Sequence, residues 1–139
     1  RMTREELIYK AEGKNQKSLL KILNRIERNL TAPVFRETFK TITCDNGVEF
    51  LDMDAMEKSY YNKVMKRTKV YYCHPYNACE RGSNENANKL IRRWIPKGSH
   101  ISKFTDEYIK DIQDWINTYP RKIFNYLSSQ EYKQLVLVS

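Results

Sequence analysis

At 139 residues the chain has room for one domain of ordinary size around a single core. Its 25 Lys and Arg against 17 Asp and Glu leave a net charge of +8, which favours polyanionic partners, nucleic acid before acidic membrane. No apolar run approaches the roughly 18 residues of a bilayer span and no basic-then-apolar leader opens the chain. Three cysteines, an odd number, read as reduced thiols of a cytosolic protein.

The opening Arg1-Met2-Thr3-Arg4 reads as the edge of something longer. Glu6 to Ala11 is predicted as a short strand, with Glu12-Gly13-Lys14 as its turn. Asn15 is placed to cap a helix whose Leu19, Ile22, Leu23, Ile26 and Leu30 share one apolar side, and Pro33 is expected to end that region. Phe39 to Cys44 alternates and is rich in β-formers, so it reads as a strand. It stops at Asp45-Asn46-Gly47, where Gly47 would permit a positive φ.

Val48-Glu49-Phe50 leads into a helix expected from about Asp54 to Met65, with Asp54 and Glu57 at capping-box spacing. Thr68 to Cys73 is the next strand, broken at His74-Pro75-Tyr76. A helix then places Ala87, Leu90, Ile91 and Trp94 on one buried stripe, with Glu85, Lys89 and Arg92 on another face and Glu85 near its start. Thr105 caps a further helix with Tyr108, Ile109, Ile112, Trp115 and Ile116 inward; Tyr119-Pro120 breaks it, and Ser128 with Glu131 forms a last capping box. Strands alternating with helices imply an α/β layer structure, and no internal repeat or dividing linker interrupts it. Three strands are few for such a sheet, so further strands are expected before residue 1.

Two carboxylates carry the chemical reading. Asp45 closes a strand at its C-terminal end, where open α/β sheets place ligands, and Glu85 follows the next strand with thirty-nine residues between them. The intervening helix and strand could return the chain to one cleft. Paired carboxylates on a basic surface suit Mg²⁺, and two such ions serve phosphodiester chemistry. The bland alternatives stand beside this: Asp45 as a turn Asp supporting Asn46-Gly47, and Glu85 as a first-turn acid on a solvated face. Cys73, His74, Cys79 and His100 lack the short Cys pairs of a zinc finger or ribbon.

Thr43-Cys-Asp45-Asn-Gly-Val-Glu-Phe50, then His74-Pro-Tyr-Asn-Ala-Cys-Glu-Arg-Gly-Ser-Asn-Glu85-Asn-Ala-Asn-Lys-Leu-Ile-Arg-Arg, then Pro96-Lys-Gly, resembles the integrase catalytic core of bacterial insertion-sequence transposases, of the IS-thirty family type. Asn117-Thr-Tyr-Pro-Arg-Lys122 is similar to that family's Asn-x-x-Pro-Arg-Lys. The likeness covers roughly residues 5 to 132. It implies an RNase H-like mixed sheet flanked by helices, apparently lacking its first strands, and an Asp-Asp-Glu triad binding Mg²⁺ or Mn²⁺ in which Asp45 is the second acid and Glu85 the third. It also implies cleavage and strand transfer of DNA.

Lys89, Arg92 and Arg93 along the helix, with His74 lining the cleft, would then contact DNA, although a solvated helix face is the simpler reading of the three cations. The first acid would lie upstream of Arg1, so residues 1–139 are expected to be an N-terminally truncated core, inactive in isolation. The Asp45-to-Glu85 spacing is longer than the family's, which suggests an enlarged middle helix or loop, and Cys79 replaces an aromatic residue. An uncovered sheet edge would favour a homo-oligomer. A non-catalytic DNA-binding or assembly module derived from such a core, and an RNase H-like nuclease without transfer activity, are the competing functions.

Overall fold

A computed structural model describes residues 2–74 and 78–138. It is a mixed α/β structure of two compact units: Ala11–Asn77 forms one, and Arg1–Lys10 with Ala78–Ser139 forms the other.

In the 11–77 unit, α1 spans Gln16–Leu30 and α2 Ala32–Thr38. Asn15 caps α1 as expected, its side chain accepting the Ser18 N–H at 2.9 Å. Pro33 does not end the helical region. Thr31, at φ 69°, breaks the chain, and Pro33 lies in the first turn of α2, where a missing N–H costs nothing. Strands β1, Thr41–Cys44, and β2, Lys69–Tyr72, pair in parallel with Thr41 opposite Lys69 and Cys44 opposite Tyr72.

Between the strands, the long helix expected over 54–65 is reduced to α3, Met53–Glu57. Asp52, not Asp54, caps it, accepting the Ala55 N–H at 2.9 Å. The chain then turns back on itself through an antiparallel bridge between Lys58 and Lys66. Leu23, Cys44, Met56 and Val70 form the core of this unit, covered by Leu19, Leu20, Ile42, Phe50, Met53 and Tyr72. Next to it lies a buried polar knot. The Arg67 and Glu27 side chains are fully buried and paired at 3.2 Å; Arg67 also donates to Met56 O and Asn24 Oδ1, and Ser59 donates to Glu27.

In the other unit, α4 spans Ala78–Ile91, α5 Asp106–Thr118 and α6 Ser129–Val138. Thr105 caps α5 through the Tyr108 N–H at 3.1 Å. The capping box before α6 is reciprocal: Ser128 N–H donates to Glu131 Oε2 at 2.7 Å, and Glu131 N–H to Ser128 Oγ at 3.2 Å. Leu90, Ile112 and Ile116 make the core, with Ile8, Ile91, Ile95, Tyr108 and Trp115 against it. Trp94 falls beyond the end of α4 and stays 40 % exposed, its ring edge-on to Trp115, so it is not the buried anchor that the helical stripe suggested.

The strand expected at residues 6–11 is irregular chain without a strand partner among the described residues. Its ladder groups bond to helix side chains instead. Asn117 on α5 accepts the Glu6 N–H and donates to the Glu6 carbonyl, both at 2.8 Å, and Gln113 accepts the Ile8 N–H at 2.9 Å. The break at Pro75-Tyr76 and the side chain of Cys79 lie outside the described residues.

Candidate active site

Asp45 stands one residue past β1, half-buried, with its Oδ1 accepting the Gly47 N–H at 3.1 Å. This is the Asx turn that Asp-Asn-Gly favours. Gly47 itself has φ −68° and ψ 151°, an ordinary extended backbone, so the positive φ expected of it is absent. The constraint on Gly47 is space. A Cβ there would lie 2.8 Å from Glu49 Oε2, 2.9 Å from Glu49 Cδ and 3.0 Å from Asp45 Oδ1. Two carboxylates therefore lie close to the place that a side chain at Gly47 would take. Glu49 Oε2 is buried and, among the described residues, has no hydrogen-bond partner.

Cys44 precedes Asp45 and is buried, and its carbonyl, at the C-terminal end of β1, accepts the Cys73 N–H at 2.8 Å. Burial, with the Asp45 charge and Cys73 adding to it, pushes the Cys44 thiol up to about 11. It stays protonated at neutral pH and is no nucleophile. His74 is exposed and follows β2 at the same end of the strand pair as Asp45.

Glu85 belongs to the other unit, in α4. It is exposed and lies about two turns inside the helix, which begins at Ala78, so the stabilisation of an acid at a helix N-terminus does not apply to it. Lys89 is exposed one turn further on. Arg92 and Arg93 are exposed just beyond the helix; Arg92 N–H still bonds to Asn88 O at 3.0 Å, and the Arg93 guanidinium sits 5.8 Å from the Tyr119 ring centre. Arg4 reaches α4 as well, donating to Ser83 Oγ. Among the described residues, no group of three or more His, Cys, Asp or Glu could hold a metal ion.

Over 97 residues the chain is 44 % identical to the transposase for insertion sequence element IS4351 of Bacteroides fragilis, a match covering 69 % of this chain and 28 % of that protein. It is 30 % identical over 139 residues to the transposase for insertion sequence element IS1086 of Cupriavidus metallidurans, covering 100 % of this chain and 38 % of the relative. Transposase InsI of insertion sequence element IS30A from Escherichia coli is 29 % identical over 131 residues, 94 % of this chain and 32 % of that protein. The chain is a relative of insertion-element transposases, the IS30 type included.

This transposase relative spans between 28 % and 38 % of the length of those three proteins. No model of a known protein family matches it, and no solved structure does. Two residues of the transposase-like chain were not singled out by sequence reasoning. Glu49 stands in the motif segment that leads into the next helix, and nothing in its spacing tells that its oxygen is buried near Asp45. Asn117 was read only as part of a motif, whereas its amide grips the backbone at Glu6. The motif signal was present, but its physical content was a tertiary hydrogen bond more than a hundred residues away in sequence.

Proposed function

We propose that the chain is part of the RNase H-like catalytic core of a DNA transposase that cleaves and joins phosphodiesters with Mg²⁺ or Mn²⁺. Asp45 and Glu85 are its metal-binding catalytic carboxylates. The observation carrying this reading is the placement of Asp45 at the carboxyl end of a parallel strand pair, in a chain related to transposases. The donors suit a hard divalent cation: Asp45 and Glu49 present carboxylate oxygens around Gly47, and the buried Glu49 oxygen has no hydrogen-bond donor to offset its charge. The chemistry supplied by such an ion is activation of an attacking oxygen and stabilisation of a leaving one.

The protein's own part is positioning and charge. The Gly47 N–H holds one Asp45 oxygen at 3.1 Å and so fixes the carboxylate beside the strand end. Lys89, Arg92 and Arg93, all exposed, neutralise DNA phosphates, and His74 meets the strand near Asp45. Among the described residues each strand has a single ladder partner, and these open edges support a homo-oligomer, which light scattering would read directly.

The test is strand joining by the full-length protein with Mn²⁺, together with calorimetric titration of Mn²⁺. Asp45→Asn and Glu85→Gln should each lower joining by at least about 100-fold, the upper end of what loss of a mere outer-sphere partner costs, with melting temperature unchanged. Either variant joining DNA at the wild-type rate would remove that residue from the site. Lys89→Glu should weaken DNA binding and lower the salt slope by about one.

A further inference from the structure

Between Asp45 and Glu85, the chain after α3 is not helix but a turned-back loop closed by the Lys58–Lys66 bridge. Inside that bridge Ser59 N–H donates to Met65 O, Met65 N–H to Asn62 O and Val64 N–H to Asn62 Oδ1, each at 3.0 Å. The base of the loop is fastened to the buried knot: Ser59 is 3 % exposed and donates to Glu27, and the Tyr60 N–H donates to Glu27 Oε2 at 2.8 Å.

The tip that this rigid base holds out is apolar. Tyr60 is 49 % exposed, Tyr61 58 %, Val64 92 % and Met65 47 %. The two tyrosine rings stand edge to face, 5.4 Å between centres, and the Arg28 guanidinium lies 5.2 Å from the Tyr60 ring centre. Residues 58–66 contain three lysines and no acid. Lys58 pairs with Asp54 and Lys66 with Glu57, so the positive charge left at the tip comes from exposed Lys63 and from Arg28.

We propose that this loop is a base-stacking contact for DNA whose strands are locally unpaired, with Tyr61 and Val64 against exposed base faces and Lys63 on a flanking phosphate. This rests on the reading of the chain as a DNA transposase core. Bases offer flat π-faces to an aromatic ring whatever their sequence, and apolar side chains wedge between unstacked base steps. A wholly apolar partner would leave the cations at the tip without a counter-charge. DNA supplies both an apolar face and a negative edge, and the loop, already fixed by its hydrogen bonds, loses little freedom on binding.

The experiment compares the full-length protein's affinity for a fully paired labelled duplex with that for the same duplex carrying three unpaired nucleotides, by fluorescence anisotropy. Tyr61→Ala should weaken binding to the unpaired DNA about ten-fold and to the paired duplex less than about two-fold. Val64→Ser should act in the same direction more weakly. Lys63→Glu should weaken both and lower the salt slope by about one. These side chains are exposed, so an unchanged melting temperature checks that each variant is folded.

Equal loss on both DNAs, or no loss with Tyr61→Ala while the wild type binds, overturns the loop assignment alone. A wild type that binds neither DNA overturns the transposase reading with it. A self-association broken by Val64→Ser, with DNA binding intact, would give the tip to a second copy of the chain and overturn the proposal as well.

Discussion

Single residues carry the least visible constraints in this molecule. Gly47 was readable as a turn glycine, but its role depends on two carboxylates that only the folded chain brings against it. The atoms that a methyl there would meet are ends of flexible side chains, so Gly47→Ala is expected to cost less than about 1 kcal/mol in urea unfolding. A loss of about 1–3 kcal/mol would mean that the Glu49 and Asp45 side chains are held in place. The Glu27–Arg67 pair is the other case. Both side chains are fully buried, burial lowers the Arg67 pKa, and Glu27 opposes that shift. Removing one partner leaves a buried charge, so Glu27→Ala should destabilise by about 3–5 kcal/mol, whereas Glu27→Leu with Arg67→Met should lose much less. Neither residue could be paired from sequence, because forty positions separate them and each sits among other charges.

Elements were legible where a local rule governs them. The Asn15 and Thr105 caps, the Ser128–Glu131 box, the apolar side of α1 and both observed strands follow from side chains within a turn of one another. The failures share a cause. Residues 54–65 have helical spacing, yet Ser59 and the Tyr60 N–H find a better acceptor in buried Glu27, and the helix stops at Glu57. Residues 6–11 have strand composition, but Asn117 and Gln113 take their backbone groups. Both are tertiary hydrogen bonds that no short window contains. Asn117→Ala leaves the Glu6 N–H and C=O without their partner and should cost about 1–3 kcal/mol. Faster hydrogen exchange confined to the Glu6 amide, with no change in melting, would show that water replaces the lost bonds.

At the scale of the whole chain, charge was the most legible property and pH the simplest handle on it. Glu57 is held below the usual carboxylate range by Lys66 and by the Val70 N–H, which donates to its other oxygen at 2.9 Å. Its stabilisation of the 11–77 unit is complete above pH 4.5, the ordinary value, and is lost as pH falls through the lower folded-state value. Acid should therefore unfold wild type more steeply below pH 4.5 than Glu57→Gln, followed by circular dichroism; parallel curves would remove Glu57 from acid sensitivity. The setting of Asp45 just past β1 was legible, that of Glu85 at a helix start was not, and the chemistry proposed for the two rests on the joining assay.

The grip of Asn117 on Glu6 makes the chain's first ten residues a working part of a structure whose remainder starts at Ala78. A polypeptide of residues 78–139 would consequently lack the strap that lies along α5. Supplying residues 2–10 as a separate synthetic peptide should restore helical signal to that fragment, and the same peptide with Ile8→Asp, which places a charge in the Leu90–Ile112–Ile116 core, should not.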